Sequence, residues 1–239
     1  MRKPQMRSAI LQETPVDPTN PLIGYTRRYE RMFPVGTTVD YEPPFSGSIA
    51  ELARAQGREP SVLAYEELLE ENGNSLLMLT IGNYEDCSLD WMECMLGSGN
   101  VVLGLGDGGA HYGMICDASF TTHSLTHWTR DRPHGRVAVE SMVHRLTRQP
   151  ALLMELEDRG LIAAGYRADL NVIDYDRLAI HKPYIVADLP AGGKRLHQRA
   201  DGYVATIVHG KVIARNGQPT AERPGRLVRG AQVSRHTLM

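Results

Sequence analysis

An aspartate set among glycines, Asp107, is the residue of this chain best placed to do chemistry. It follows the short apolar run 101–105 and stands inside GLGDGG, residues 104–109. An aspartate at the C-terminal tip of a buried strand is where α/β enzymes keep a reactive carboxylate. A purely structural role is the alternative, because Asp and Gly also form tight turns. The local sequence leaves both interpretations open.

Three further side chains are candidates for the same pocket. His111 lies four residues after Asp107, and Asp–His pairs serve acid–base chemistry because the carboxylate orients the ring and raises its basicity. Asn83 and Tyr84 follow the apolar run 75–81, so a parallel barrel would place them at the reactive rim beside Asp107. The structural alternatives are a loop histidine at His111 and a strand-end cap at Tyr84.

A pair of histidines four residues apart, His123 and His127, forms a second candidate site. On a helix this spacing puts both imidazoles on one face, as a zinc pair requires. Ser124 stands where the metalloprotease motif has glutamate, and no third ligand is obvious from the sequence. The structural alternatives are a pair that bridges to neighbouring backbone and a pair that merely packs beside Trp128.

Residues 104–109 also match G-x-G-x-x-G, the dinucleotide-binding fingerprint. That fingerprint opens directly onto a helix N-terminus that faces the pyrophosphate. Here the poor helix former AHYGMICDASF follows, and no strand with an acidic tip lies at the expected distance. An NAD(P)-binding oxidoreductase therefore stands only as a third alternative.

The composition of the chain gives no support for nucleic acids or membranes as partners. The chain has 239 residues and a net charge of −2, which gives no argument for nucleic acid or an anionic membrane. No apolar run approaches the ~20 residues of a membrane helix. The three cysteines are sparse and match no metal or redox spacing, so we expect a reduced, cytoplasmic setting.

Local signals predict several helices. Ser48 and Glu51 form an S-x-x-E capping box, which is typical of a helix start. Apolar side chains recur at i, i+3, i+4 and i+7 in the segment 137–148. The predicted helices span 49–56, a segment from Pro60, a short segment from Ser88, the region 121–129 and the segment 137–148.

Two apolar segments of strand length, 75–81 and 101–105, enclose the short helix that starts at Ser88. Two such strands joined through a helix indicate a βαβ unit in a parallel sheet. Residues 13–47 are rich in Pro, Gly and Thr and are predicted to form a long ordered loop. Two strands do not make a self-sufficient sheet, so other parts of the fold must cover their edges.

The pattern changes near residue 160. Residues 168–176 and 203–217 alternate with period two, and His209-Gly210-Lys211 forms a tight turn within the second segment. The last part of the chain is therefore predicted to be a small β domain. The predicted domains are 1–157, an α/β part, and 158–239, the β part.

Four longer segments resemble metal-dependent amidohydrolases, and in particular the N-acyl-D-amino-acid deacylase (D-aminoacylase-like) group. The segments are GLGDGGAH, CDASFTTHSLTHWTRDR, DRGLIAAGYRADLNVIDYD and GYVATIVHGKVIARNGQPTAERPGRLVRG. The resemblance runs from about residue 30 to 230. Its most specific element is the D-R-G-x-I/L-x-x-G-x-x-A-D-L pattern from Asp158 to Leu170.

The resemblance implies a (β/α)8 barrel of the TIM type followed by a small composite β-sandwich. This chain would hold the last two βα units of the barrel, with 75–81 as strand seven and 101–105 as strand eight, and part of the sandwich. In the family the aspartate after strand eight, matched by Asp107, lies by one or two divalent metals, usually zinc. It takes a proton from the attacking water and passes it to the leaving nitrogen. The implied reaction hydrolyses the non-peptide C–N bond of an N-acyl D-amino acid, with Asp107 as catalytic residue and metal contact.

The chain departs from the family in its metal ligands. Family members carry an H-x-H pair after strand one and further ligands after middle strands, whereas the nine histidines here include no H-x-H. One aspartate does not hold a metal, since three or more protein ligands are normal. We therefore expect a piece of a larger or split enzyme that is inactive alone. The alternative is a non-catalytic half-barrel that works through association with a partner chain or with itself.

Overall fold

The computed structural model describes residues 3–14, 17, 19, 21–84, 86–104 and 113–232. The chain divides into two compact units, Met1–Leu96 and Gly97–Met239. Within the described ranges, no helix has the length and apolar character needed to cross a lipid bilayer. The domain boundary predicted at 157/158 stays a prediction.

The first unit is mainly helical. Its helices are α1 (Pro4–Gln12), α2 (Pro21–Tyr25), α3 (Ile49–Ala55), α4 (Pro60–Leu69) and α5 (Asp90–Gly97), with 3-10 turns at Tyr29–Arg31 and Phe45–Gly47. Proline stands in the first turn of α1 and of α4. Its fixed φ suits a helix start, where the missing N–H has no intrahelical partner to lose.

Helix α3 confirms Ser48 as the N-cap, but the capping box is only half formed, because the Ser48 N–H donates to the Phe45 carbonyl at 3.0 Å. The Ser48 hydroxyl accepts a hydrogen bond from the backbone N–H of Glu51 at 3.3 Å, which satisfies one of the free donors of the first turn. Gly57 follows the helix with a φ of 62°, a left-handed conformation that glycine adopts without a steric penalty. The predicted helix 49–56 and its stop signal are therefore confirmed.

The buried centre of the first unit lies where α3 faces α4. Ile49 and Ala53 are fully buried on α3, and they share a cluster with Leu63 of α4 and with Met32. Ile49 and Ala53 are four residues apart, so they lie on one face of the helix and bury it together. Leu77 and Leu79 pack against this cluster, and the candidate residues Asn83 and Tyr84 follow them in the chain.

The small sheet of the first unit is antiparallel. It consists of β1 (Met32–Pro34) and β2 (Leu77–Leu79). Strand β2 takes up three residues of the predicted strand 75–81, and its partner comes from segment 13–47, which the sequence predicted as loop. The partner of a strand is set by long-range pairing, which a local pattern does not reveal.

The prediction of a parallel βαβ unit is wrong within the described residues. Residues 101–104 form no strand, and every ladder between the named strands is antiparallel. An apolar run becomes a strand only where a neighbouring chain segment offers its backbone hydrogen bonds. The described residues supply no such neighbour for 101–104.

Helices also begin the described part of the second unit. They are α6 (Phe120–Thr126), a π-helical turn at His127–Asp131, α7 (Val139–Leu146) and α8 (Arg148–Leu153). The predictions of helices at 121–129 and 137–148 are confirmed to within two residues or so at each end. Met142 of α7 is fully buried, as its place in the apolar stripe predicts.

Antiparallel sheets make up the rest of the second unit. The strands are β3 (Leu170–Ile173), β4 (Ala179–Ile180), β5 (Tyr184–Leu189), β6 (Gly193–His197), β7 (Ala200–Asp201), β8 (Tyr203–Val208), β9 (Lys211–Arg215) and β10 (Gln218–Pro219). A four-stranded sheet has the order β10-β9-β8-β3, and two further sheets pair β4 with β7 and β5 with β6. The predicted β part is therefore confirmed as β structure.

The β8–β9 hairpin contains the predicted tight turn. His209 and Gly210 have φ values of 49° and 74°, as a two-residue turn that matches the twist of its strands requires. Asp169 accepts a hydrogen bond from the His209 N–H at 2.7 Å, so β3 and the turn are tied together. The fold as a whole mixes helices with antiparallel sheets, and none of the described sheets closes into a barrel.

Candidate functional site

The two strongest sequence candidates, Asp107 and His111, lie outside the described residues, in the segment 105–112. The chain leading into this segment is held by α8. The side-chain amide of Gln149 donates a hydrogen bond to the carbonyl of Val101 at 3.3 Å. The roles assigned to Asp107 and His111 stay predictions.

Tyr84 is buried, with 3% of its surface exposed. Its hydroxyl donates a hydrogen bond to the carbonyl of Pro43, and its ring meets Phe33 edge-on at 6.3 Å between centroids. Burial raises the pKa of the Tyr84 hydroxyl, and the nearby acidic groups Cys87 and Glu42 raise it further. The hydroxyl is therefore neutral at physiological pH and holds the 43–84 contact, while a role in substrate binding stays a prediction.

Asn83 has the opposite character. Its side chain is exposed, and its backbone adopts a φ of 60°. Asparagine is one of the few non-glycine residues that tolerate this left-handed conformation. The backbone carbonyl of the next residue, Tyr84, accepts a hydrogen bond from Arg31 at 2.6 Å, which fixes the turn. Asn83 therefore presents an accessible amide from a firmly held backbone.

The half-buried thiols offer no activated nucleophile. Burial is the main reason that the pKa of Cys87 and the pKa of Cys116 are both raised. Arg31 lowers the pKa of Cys87 and Arg195 lowers that of Cys116, but neither guanidinium outweighs the burial. Since the thiolate is the reactive species, a raised pKa makes both thiols weaker nucleophiles at neutral pH.

The histidine pair on α6 is assembled as the spacing predicted. The rings of His123 and His127 stack at 4.7 Å between centroids with an angle of 15° between their planes. The His127 ring also meets Trp128 edge-on at 5.3 Å, so packing against the tryptophan is confirmed as well. The two imidazoles share one side of the helix and are both half-buried.

A cavity of about 330 Å³ in the second unit was not predicted from the sequence. Ser119 and Thr122 line one side, and Arg195, His197 and Gln198 line the other. Arg195 and His197 are two residues apart on β6 and therefore lie on the same face of the strand. This spacing is the signal in the sequence that could have indicated the cavity. What closes the cavity is the long-range approach of 115–122 to this strand.

Polar groups around this cavity are bonded to each other. Asp188 accepts from Arg195 at 2.8 and 2.7 Å, and this bond lowers the pKa of Asp188. Arg195 also donates to Nδ1 of His197 at 3.2 Å, which leaves the ring proton on Nε2. Ser119 donates to the Gln198 side chain, and that amide donates to the His181 carbonyl at 2.8 Å. The network ties 115–122 to the β5–β6 hairpin.

The metal centre implied by the family resemblance is not completed by either unit. Within the described part of each unit taken alone, no three His, Cys, Asp or Glu side chains bring ligand atoms within 4.8 Å of one another. Metal sites in proteins normally use three or more such ligands. The described residues of a single unit therefore do not fit a catalytic metal.

Comparison with known proteins gives a family match over most of the chain. The family model described as the amidohydrolase family matches residues 47–214. This span includes the position of Asp107 and the Asp158–Leu170 motif. No curated protein matches the chain.

A solved structure of a D-aminoacylase mutant in complex with copper chloride is similar to the chain at 21% sequence identity and a TM-score of 0.45. The similarity covers 83% of this chain and 37% of that one, so the chain spans well under half the length of the D-aminoacylase. Because the family model matches more than two thirds of the residues, the chain belongs to the amidohydrolase family.

Proposed function

We propose that these residues form part of an enzyme that hydrolyses the amide bond of an N-acyl D-amino acid. The observation that carries the proposal is the family match over 47–214, which encloses both GLGDGG and the D-R-G motif. Amide hydrolysis needs a group that accepts a proton from water and a group that protonates the leaving nitrogen. A single carboxylate can do both in turn.

Asp107 is the residue to which we assign that proton transfer. It stands where the family resemblance places the aspartate after the last barrel strand. As general base it accepts a proton from the attacking water, and as general acid it returns that proton to the leaving nitrogen. A positioned carboxylate of this kind contributes roughly 10²–10⁴-fold to the rate.

Three other residues are proposed for the rim of the pocket: His111, Asn83 and Tyr84. The exposed amide of Asn83 supports this role for Asn83, since it can bond a polar substrate group. For Tyr84 the contact would have to come from the ring or from a change of hydroxyl partner, because Pro43 already accepts the hydroxyl proton. The underlying architecture is proposed to be the C-terminal part of a TIM-type barrel.

The metal of such an enzyme, zinc in our proposal, would polarise the amide and activate water when bound. The described residues of either unit do not supply its ligand set, so we propose that the missing ligands come from another stretch of polypeptide. Residues 1–157 would then form one part of the barrel, and residues 158–239 would form part of the sandwich. The chain alone is expected to lack amidase activity.

The test is an amidase assay of the full-length parent enzyme with N-acyl D-amino acids and their L-enantiomers. We expect D-selective release of the free amine, and a loss of at least ~100-fold in kcat in Asp107→Asn. Asp176→Asn is the matched control, since Asp176 is an exposed acid in the second unit. Near-normal turnover of Asp107→Asn, with metal content unchanged, would refute the assignment.

A second candidate function is association without catalysis. Large apolar side chains stand exposed on the second unit at Leu153, Met154 and Ile162, the last with 89% of its surface accessible. A contiguous exposed apolar patch marks an interaction surface, and we propose that these side chains contribute to one. Sedimentation analysis of the purified chain, with metal analysis of each species, separates the proposals: a stable metal-free oligomer favours association, and a metal-free monomer counts against it.

A further inference from the structure

Helix α8 contacts two parts of the second unit that the sequence analysis singled out. The side-chain amide of Gln149 donates to the carbonyl of Val101 at 3.3 Å, and Val101 stands six residues before Asp107 in the chain. The preceding residue of the helix, Arg148, contacts residues 158–160, which begin the D-R-G motif. Two consecutive residues of one helix therefore link the motif to the segment that leads toward Asp107.

The motif holds the start of α8 by hydrogen bonds and close packing. Nη1 of Arg148 donates to the carbonyl of Arg159 at 3.0 Å and to that of Glu157 at 3.1 Å. The guanidinium also lies 5.5 Å from the centroid of the Tyr166 ring, within the range of a cation–π contact. The backbone of Gly160 comes so near that an added Cβ would lie 2.7 Å from Cα of Arg148. The position of α8 is therefore set largely by the motif.

Gln149 uses only one half of its side-chain amide. Nε2 donates to Val101, whereas Oε1 is buried and has no hydrogen-bond partner among the residues that the structure describes. A buried acceptor without a partner costs stability, and an apolar side chain of the same length avoids that cost. Stability alone therefore does not account for a glutamine at this position. What the amide adds is the bond to Val101.

We propose that Gln149 is a positioning residue for the proton transfer assigned to Asp107, and that the D-R-G motif acts on the site through α8. This inference rests on the proposed function of Asp107. Gln149 holds the backbone from which the chain continues toward Asp107, and a misplacement of about 1 Å at a reacting group can cost ~100-fold in rate. The most specific motif of the sequence, 51 residues beyond Asp107, thereby has a role at the site.

The first measurement uses the purified chain and needs no catalysis. Gln149→Met keeps the length of the side chain and removes the donor, so amide hydrogen exchange within residues 98–104 should become several-fold faster, with the rest of the unit unchanged. The urea midpoint should stay at the wild-type value or rise, because the buried acceptor is removed as well. A merely structural role would not separate local order from global stability in this way.

Gln198→Met is the matched control. The Gln198 amide also donates to a backbone carbonyl of the same unit, that of His181 at 2.8 Å. Its removal should leave exchange within residues 98–104 at the wild-type rate. Gln149→Asn is the second variant, since it keeps the amide but shortens the reach of a bond that is already 3.3 Å long. Exchange in Gln149→Asn should match that in Gln149→Met, and it decides the test if Gln149→Met does not fold.

The second measurement is the amidase kinetics of the full-length parent enzyme. Gln149→Met should lower kcat by roughly tenfold, a smaller loss than that expected for Asp107→Asn. KM and the metal content should stay unchanged, because the substitution affects the placement of the reacting group and removes no contact to substrate or metal.

Unchanged exchange within residues 98–104 in Gln149→Met overturns the inference, and so does a wild-type kcat when Asp107→Asn is inactive. A loss of kcat that is matched by a fall in the urea midpoint also overturns it, because Gln149 would then act through stability alone. Near-normal turnover of Asp107→Asn refutes the proposed function and with it the catalytic role of Gln149. In that case the exchange measurement still shows whether Gln149 holds residues 98–104.

Discussion

Gly160→Ala should destabilise the second unit much more than a glycine substitution at a similar but open position. Gly160 belongs to the D-R-G motif and has a φ of 78°. An added Cβ would lie 2.7 Å from Cα of Arg148 and 2.9 Å from its backbone nitrogen. These are backbone atoms at the start of α8, so a change of side-chain rotamer does not relieve the clash.

Gly217 provides the matched control. Its φ is 74°, and an added Cβ there would meet nothing within 4 Å. Both substitutions force alanine into the left-handed region, at about 1–2 kcal/mol. Only Gly160→Ala adds overpacking against the backbone, typically ~1–3 kcal/mol more. We therefore expect losses of about 2–5 kcal/mol for Gly160→Ala and about 1–2 kcal/mol for Gly217→Ala.

Urea unfolding followed by Trp128 fluorescence measures this difference. Trp128 lies in the same unit as both glycines, and a Trp91→Phe background removes the other tryptophan, which is exposed in the first unit. The change in midpoint multiplied by the slope m gives each loss, provided that m is unchanged. Equal losses in the two variants would refute the reasoning, because the close approach of Gly160 to Arg148 would then have no energetic consequence.

Two further substitutions test the first unit. Ser48→Ala removes the acceptor of the Glu51 N–H, and we expect a loss of about 1 kcal/mol in chemical denaturation; an unchanged midpoint would contradict the cap. Tyr84→Phe leaves the Pro43 carbonyl without its donor, at about 1–3 kcal/mol. Because burial raises the pKa of folded Tyr84, the hydroxyl stabilises the fold fully below the unfolded value near pH ~10 and loses this effect as the pH rises. The difference in the free energy of unfolding between the wild type and Tyr84→Phe should therefore shrink above pH ~10. A difference that stays constant would argue against a raised pKa of Tyr84 in the folded state.

Short-range signals were sufficient for helices α3 to α7, whereas α2 lies in a predicted loop and α8 was not predicted. Ser48 and Glu51 meet through a three-residue spacing, and the His209-Gly210 turn joins adjacent strands, so both could be predicted from neighbouring residues. The i to i+4 stacking of His123 and His127 follows from helical geometry in the same way. Each of these features closes within one turn of chain, where the residues themselves supply the bonding partners.

The candidate site could be predicted only in part from the sequence. Asp107 was found by its glycine surroundings and by family resemblance, and its role stays a prediction. Tyr84 was found by its position after a strand, but nothing local indicates that its hydroxyl bonds Pro43, 41 residues earlier. The Arg195–His197 cavity was missed, because its other side comes from residues far away in the chain.

The amino-acid sequence by itself determined the family, the helices α3 to α7, the hairpin turn and the paired histidines, because each rests on a motif or on contacts within a few residues. Tertiary structure alone decided that 77–79 pairs antiparallel with 32–34, that Tyr84 is buried, and that Arg195 faces a cavity. Hydrogen-bond partners and burial at those positions come from chain segments distant in sequence. A local pattern indicates which residues will be buried or hydrogen-bonded. Which distant segment supplies the contact is decided only in the folded chain.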